Sequence, residues 1–418
     1  MIKDNGRPSA GTSPRGVFKS LIPGIVRALG DQGYVTPTPV QTQCIPPLLA
    51  GRDVLGTAQT GTGKTAAFSL PILQQLSRRS VSRKPGTPRA LILAPTRELA
   101  AQIAESVETY GRYLPVRTVI VFGGVKQNSQ VTALRKGVDV LVATPGRLLD
   151  LIGQGYIHLG SIEMLVLDEV DRMLDMGFIN DIRKILGKLP RERQTMFFSA
   201  TMAGEMKRLA DSMLKNPVEV RIEPEKPTLE AIEQRVFYVS RYDKDDLLVS
   251  VLGDPSVSKA IVFTQMKHTA NKVASKLAKS GIRGTAIHGN KSQNARTRSL
   301  DGFKDNRYNV LVATDVAARG LDVDSITHVI NYDLPVEAET YVHRIGRTAR
   351  AGSQGDAISF CTRDDKAYLK EIEKLLGKPV PVFSDHEYHC SAAENGPVIP
   401  QSSGGSGRRR QQRVRRSH

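Results

Sequence analysis

At 418 residues the chain is too long for one ordinary hydrophobic core and fits two domains with flanking segments. Its 40% hydrophobic and 24% charged residues are those of a globular protein, and no apolar run approaches a membrane span. Three widely spaced cysteines, Cys44, Cys361 and Cys390, argue against a disulfide framework and a paired-cysteine zinc site, while a net charge of +17 points to a polyanionic partner.

Residues 1–16 are polar and rich in breakers, with no apolar leader, so a flexible start and a cytoplasmic location are expected. From there, short apolar runs alternate with helical patterns: Asp53 to Ala58, Ala90 to Pro95, Val119 to Gly124, Val138 to Pro145, Met164 to Glu169, Thr195 to Thr201 and Val218 to Ile222. Runs this short, rich in Val, Ile and Leu, suit strands buried on both faces of a parallel sheet. A first α/β domain over 17–222 follows. Residues 223–231, with Pro224, Pro227 and several charges, read as a linker. Alternation resumes over 232–378 with Gln234 to Ser240, Ala260 to Thr264, Gly284 to Gly289, Asn309 to Asp315, Thr327 to Tyr332 and Asp356 to Cys361, giving a second α/β domain.

Residues 379–418 read as a Pro/Gly/Ser-rich and basic tail. It ends in Arg408, Arg409, Arg410, Arg413, Arg415 and Arg416, a disordered electrostatic arm for nucleic acid or, alternatively, a solvated tail. The cluster Asp385-His386-Glu387-Tyr388-His389-Cys390 has metal-binding residue types but no regular fourth ligand, and magnesium is the only metal expected.

Three segments carry chemistry. Ala58-Gln59-Thr60-Gly61-Thr62-Gly63-Lys64-Thr65 follows a predicted strand; it can wrap phosphates in backbone N–H groups, bring Lys64 to the β and γ phosphates and offer the Thr65 hydroxyl to magnesium. Taken alone, it is also compatible with a glycine-rich strand-to-helix turn. Met164 to Leu167 delivers Asp168 to the magnesium shell and Glu169 to the attacking water, within Asp168-Glu169-Val170-Asp171. His343-Arg344-Ile345-Gly346-Arg347-Thr348-Ala349-Arg350 supplies cations from the second half. Together they describe a nucleoside triphosphatase split across two domains, with a nucleoside triphosphate and Mg2+ as cofactors.

With these segments in place, the chain resembles the DEAD-box family of RNA helicases in helicase superfamily 2, from about Phe18 to Leu376. The resemblance implies two tandem RecA-like domains, each a mostly parallel sheet with helices on both faces. Gly33-Tyr34 and Pro37-Thr38-Pro39-Val40-Gln41 are similar to the family's adenine-reading motif, which implies that Gln41 hydrogen-bonds adenine and Phe18 stacks on it. By the same resemblance Gly320 and Asp322 meet the nucleotide, and Arg347 and Arg350 meet the transition-state phosphate.

The RNA-facing motifs are matched by Pro95-Thr96-Arg97-Glu98-Leu99-Ala100, Gly123-Gly124, Thr144-Pro145-Gly146-Arg147, Thr264, Arg296 and Thr314. Their glycines, hydroxyls and Arg97 and Arg147 suit phosphate contacts and read no base identity. Ser199-Ala200-Thr201 would link the magnesium site to the RNA surface through the hydroxyls of Ser199 and Thr201, while His343 and Arg344 would bridge the domain interface. Val170 and Ala349 stand where the family has alanine and glycine; the finer resemblance is to the bacterial RhlE type.

The expected activity is RNA-stimulated ATP hydrolysis coupled to local separation of short duplexes, with single-stranded and duplex RNA as partners. An ATP-gated RNA clamp and a DNA translocase are the rivals. Ribosome-assembly or RNA-decay proteins are candidate partners; no membrane association is expected, and the chain is expected to be a monomer.

Overall fold

Alternate residues of each central strand belong to different cores, which is why the strands carry no polar alternation. The computed structural model describes residues 14–58, 61–79, 82–202, 204–222, 232–318, 323, 325–349 and 354–398, in two compact units. In the first, the strands are β1 (Val54–Thr57), β2 (Ala90–Leu93), β3 (Thr118–Val121), β4 (Val140–Ala143), β5 (Met164–Leu167), β6 (Gln194–Ser199) and β7 (Val218–Arg221). Their order is β3-β4-β2-β5-β6-β1-β7, every neighbour parallel. Ala90 and Ile92 of β2, with Met164 and Val166 of β5, face one core. Leu91, Leu93, Leu165 and Leu167 face the other. Both faces are closed by helices, as parallel crossovers require.

The second unit holds β8 (Ile232–Tyr238), β9 (Ala260–Phe263), β10 (Gly284–Ile287), β11 (Val310–Ala313), β12 (His328–Asn331) and β13 (Gly355–Cys361). They are again all parallel, in the order β10-β11-β9-β12-β13-β8. Helix Lys267–Lys279 buries Ala270, Val273 and Leu277, which recur at helical spacing. Among the described residues no helix is long and apolar enough to cross a membrane.

One expectation is corrected here. The tail read from residue 379 onward begins as a strap folded along the edge strand β8. Val236 N–H donates to the Pro381 carbonyl at 2.8 Å, Phe383 N–H donates to the Val236 carbonyl at 2.9 Å, and Cys390 N–H donates to the Tyr238 carbonyl at 3.0 Å. Phe383 and His386 stack on Phe237 with centroids 4.8 and 5.0 Å away. A short helix, Ser391–Asn395, ends the strap, where Lys366 donates to the carbonyls of Glu394 and Gly396 at 2.6 Å each. An unpaired edge strand leaves a row of amide groups to satisfy, and this segment supplies the partners. The arginine arm, the linker 223–231 and residues 1–13 lie outside the described residues.

Candidate nucleotide and nucleic-acid sites

Three neighbouring strand ends bring the candidate phosphate-site residues together. In the order β5-β6-β1, β5 is followed by Asp168 and Glu169, β6 ends at Ser199, and β1 is followed by Ala58 and the phosphate loop. Ala58 N–H donates to the Ser199 carbonyl at 3.0 Å, and Asp168 N–H to the Leu93 carbonyl at 3.0 Å, so backbone bonds fix the spacing of the strand ends. Open parallel sheets bind ligands at these carboxyl ends.

The phosphate loop turns into the helix Lys64–Arg78 through Gly63, whose φ of +92° is strained for residues with a side chain. A Cβ there would lie 2.5 Å from Gln41 Nε2, so the glycine also admits Gln41. Gln41 is 1% exposed; its Nε2 donates to the Gly63 carbonyl at 3.2 Å and its Oε1 accepts from Thr38 N–H at 2.9 Å. It therefore ties the capping box of helix Pro39–Leu49 to the phosphate loop. Lys64 donates to the Ala58 carbonyl at 2.6 Å and is buried. Gly61, Thr62 and Thr65 are described with it; Thr60 lies outside the described residues.

Asp168 is buried, and burial lifts its carboxyl to about 6, against the pull of Lys64 and with added repulsion from Glu169 and Asp171. Glu169 has φ +52° and ψ +54°, a left-handed backbone that a non-glycine residue holds only at a cost. Its carboxylate pairs with Arg172 at 3.0 Å, both side chains buried. Sequence reasoning missed Arg172, although its i+3 spacing from Glu169 at a helix start is a readable signal. Val170 is fully buried in the core, so the added bulk at this family position is absorbed by packing.

Thr65 and Asp168 fit magnesium as its two protein ligands. Crowded, desolvated carboxylates favour a proton or a bound cation, and a magnesium site of this kind takes its remaining oxygens from phosphate and water. Among the described residues no group of three or more His, Cys, Asp or Glu could hold a metal by itself.

Three sequence expectations need correction. Phe18 is 0% exposed, in the 3-10 turn Gly16–Ser20 against helix Pro39–Leu49, and a ring with no accessible face cannot stack on adenine. Ser199 is fully buried with its hydroxyl on Met206 Sδ, and the link from its motif to the acidic segment runs through a backbone amide, Ala200 N–H donating to the Asp171 carboxylate at 2.9 Å. Thr201 is exposed.

The third correction is Arg344, whose side chain is 1% exposed and wholly engaged inside the second unit. Its Nε and Nη2 donate to the two oxygens of Asp315 at 2.6 and 2.8 Å, and its Nη1 donates to Asn331 Oδ1 at 3.1 Å and the Asp333 carbonyl at 2.6 Å. A guanidinium used in this way has no face left for an interface. His343, one position earlier, is exposed.

The RNA candidates of the first unit cluster on the other half of its sheet, after β3, β4 and β2. Gly124, at φ +78°, lies so close to the Arg97 guanidinium that a Cβ would fall within 2.0 to 2.4 Å of it. Arg147 donates to the Val125 carbonyl at 3.2 Å and approaches Asp150 at 3.4 Å. Arg97 therefore lies against Gly124, and Arg147 bonds the next residue, Val125. Pro95 and Thr144 are buried at the adjoining strand ends.

In the second unit Thr264, Thr314 and Arg296 follow β9, β11 and β10, three adjacent strands. Thr264 is fully buried, Thr314 nearly so, and Arg296 partly exposed. Arg347 is partly exposed just past helix Ala338–Ile345. Ala349 has φ +53°, where a Cβ costs about 1 to 2 kcal/mol. The alanine substituted for the family's glycine is therefore a backbone strain as well as an added methyl. Gly320, Asp322 and Arg350 lie outside the described residues.

A phosphate loop and an acidic strand end on one parallel sheet, followed by a second sheet of the same construction, define a two-domain nucleoside triphosphatase of the RecA-like class. Residues 38–209 match the DEAD/DEAH box helicase model and residues 243–352 the helicase conserved C-terminal domain. The chain belongs to the DEAD-box ATP-dependent RNA helicases. It is 42% identical over 359 residues to the DEAD-box ATP-dependent RNA helicase RhpA of Helicobacter pylori, covering 86% of this chain and 72% of that one. It is 44% identical to the ATP-dependent RNA helicase RhlB of Psychromonas ingrahamii, with 87% of each covered. The structure of S. cerevisiae Dbp5 bound to RNA and ADP BeF3 matches with TM-score 0.74 and 33% identity, over 86% of this chain and 94% of that one.

Proposed function

We propose that this enzyme couples ATP hydrolysis to local, sequence-tolerant separation of short RNA duplexes or remodelling of RNA–protein complexes, as a monomer in the cytoplasm. The observation that carries this reading is the division of the first sheet. The ends of β5, β6 and β1 are followed by the candidate hydrolytic residues, the ends of β3, β4 and β2 by the RNA candidates Arg97, Gly124 and Arg147, and β2 and β5 are neighbours. A strand on one half and a nucleotide on the other share one rigid sheet.

The RNA candidates are backbone groups, hydroxyls and guanidiniums, which suit phosphates and sugars and leave bases unread. Gln41 would exchange the Gly63 carbonyl for the adenine edge when ATP enters, and Lys64 would exchange the Ala58 carbonyl for phosphate. Thr65 and Asp168 would hold Mg2+, which supplies neutralisation of phosphate charge. Glu169, fixed by Arg172, would orient and deprotonate water. Arg347 and Arg350 would stabilise the charge of the transferring phosphoryl group; such arginines contribute about 10³ to 10⁵ in rate.

Steady-state ATP hydrolysis without nucleic acid, with single-stranded RNA and with single-stranded DNA tests this directly, using Glu169→Gln as the blank. Strong stimulation by RNA alone, absent in the blank, is expected. Equal stimulation by DNA would favour a translocase and overturn the RNA reading. Prolonged RNA dwell with no strand separation would favour a clamp.

A further inference from the structure

We infer that Arg344 is a positioning residue that transmits RNA engagement at the ends of β9 and β11 to Arg347 within the second unit. The inference rests on the proposed roles of Thr264 and Thr314 at RNA and of Arg347 at phosphate. Its geometry is independent of them.

The Arg344 guanidinium contacts a residue adjacent to each of the two RNA candidates, Asp315 beside Thr314 and Phe263 beside Thr264. Its bidentate partner Asp315 directly follows Thr314 and opens the short helix Asp315–Ala318, whose Ala317 and Ala318 N–H groups donate to the Thr314 carbonyl at 2.9 Å each. The guanidinium lies over the Phe263 ring, 5.0 Å from its centroid, and Phe263 directly precedes Thr264. Its third contact is the carbonyl of Asp333, whose carboxylate accepts Gln265 N–H at 3.0 Å, on the other side of Thr264.

On its own helix, Arg344 leads straight to the phosphate candidate, since Arg347 N–H donates to the Arg344 carbonyl at 3.1 Å. Thr348 then anchors the turn through its hydroxyl on the Ile326 carbonyl at 2.6 Å. A displacement of either RNA-bearing strand end therefore pulls on one rigid fork, and that fork sits one turn before Arg347. Charge-assisted bidentate bonds have a narrow angular range, so they transmit orientation where a flexible cation would absorb it.

Arg344→Lys in the full chain keeps the charge and loses the fork. At saturating RNA, kcat should fall at least about tenfold, while dissociation constants for a labelled single-stranded RNA and a fluorescent ATP analogue stay within about threefold of the parent chain. In a double-mutant cycle with Thr314→Ala, the two losses in kcat should overlap instead of multiplying. Asp315→Glu retains the charge but displaces the guanidinium and should reproduce the effect; thermal unfolding of both variants separates misfolding from mispositioning. Should Arg344→Lys fail to fold, Asp315→Glu carries the test.

Unchanged kcat, a higher RNA requirement with kcat intact, or independent multiplying losses would overturn the inference and leave Arg344 a scaffold residue. A parent enzyme indifferent to RNA would instead overturn the functional reading, before any variant is made.

Discussion

Asp168 is 2% exposed, and burial combined with the neighbouring Glu169 and Asp171 lifts its carboxyl to about 6 despite Lys64 nearby. The folded chain thus holds this proton more tightly than the unfolded chain does. The stability it confers is complete below about pH 4 and declines as pH rises through about 6. Asp168→Asn should remove that decline. The nucleotide-free variant should unfold at a higher temperature than the parent at pH 7.5, by an increment of up to about 3 kcal/mol, and the difference should shrink at pH 5. It should also lose hydrolysis and most of the stabilisation by Mg2+ and ATP. Thermal unfolding at both pH values, with and without nucleotide, checks this, and a variant no more stable than its parent at pH 7.5 would contradict it. The placement of Lys64, Asp168 and Glu169 at strand ends was legible because it depends on neighbours in the chain and on the strand that delivers them. Phe18 and Arg344 were not. Whether Phe18 faces a base or the core depends on how one short turn packs, and Arg344 meets its partner Asp315 across 29 residues.

At the level of elements, the central strands were legible because burial on both faces leaves a continuous apolar run, and every described strand, the edge strands β7 and β8 included, overlaps a segment read as a strand from the sequence. The strap along β8 was illegible for the opposite reason. Pro379-Val380-Pro381-Val382-Phe383 has prolines that read as a loop, and its bonds to β8 come from an isolated bridge, which leaves no periodicity in the sequence. Its contribution is testable by comparing a chain ending at Gly377 with one ending at Val398. The shorter chain should expose Phe237 and the β8 edge, unfold at a lower temperature and self-associate with rising concentration. The longer should behave as the parent. Phe383→Ala should reproduce part of the loss, about 1 to 2 kcal/mol for a half-buried ring that stacks on another. Light scattering and thermal unfolding read both effects, and identical behaviour of the two truncations would mean that the strap is decoration on a self-sufficient sheet.

Across the whole molecule the two sheets share one feature: the RNA candidates follow three adjacent strands at one side, β3-β4-β2 and β10-β11-β9, and in the first sheet the phosphate-loop and acidic candidates follow the strands beside them, β5-β6-β1. Neither half carries an aromatic platform among these candidates, so affinity must come from phosphate neutralisation, and the chain's net charge of +17 supplies it. Six arginines of that charge stand after Gly407, beyond the residues that build either sheet. If all six meet single-stranded RNA phosphates, each releases about 0.7 of a counterion, and ending the chain at Gly407 should reduce the slope of log affinity against log salt by up to about 4 units. The same truncation should leave kcat at saturating RNA unchanged, because every residue placed at the phosphate or RNA site remains. The affinity deficit should therefore be large at low salt and small near physiological salt, in titrations of one labelled RNA at several salt concentrations. An unaltered slope would make the arm a solvated tail, and a fall in kcat with the slope intact would mean that it acts on the folded core instead of on the RNA.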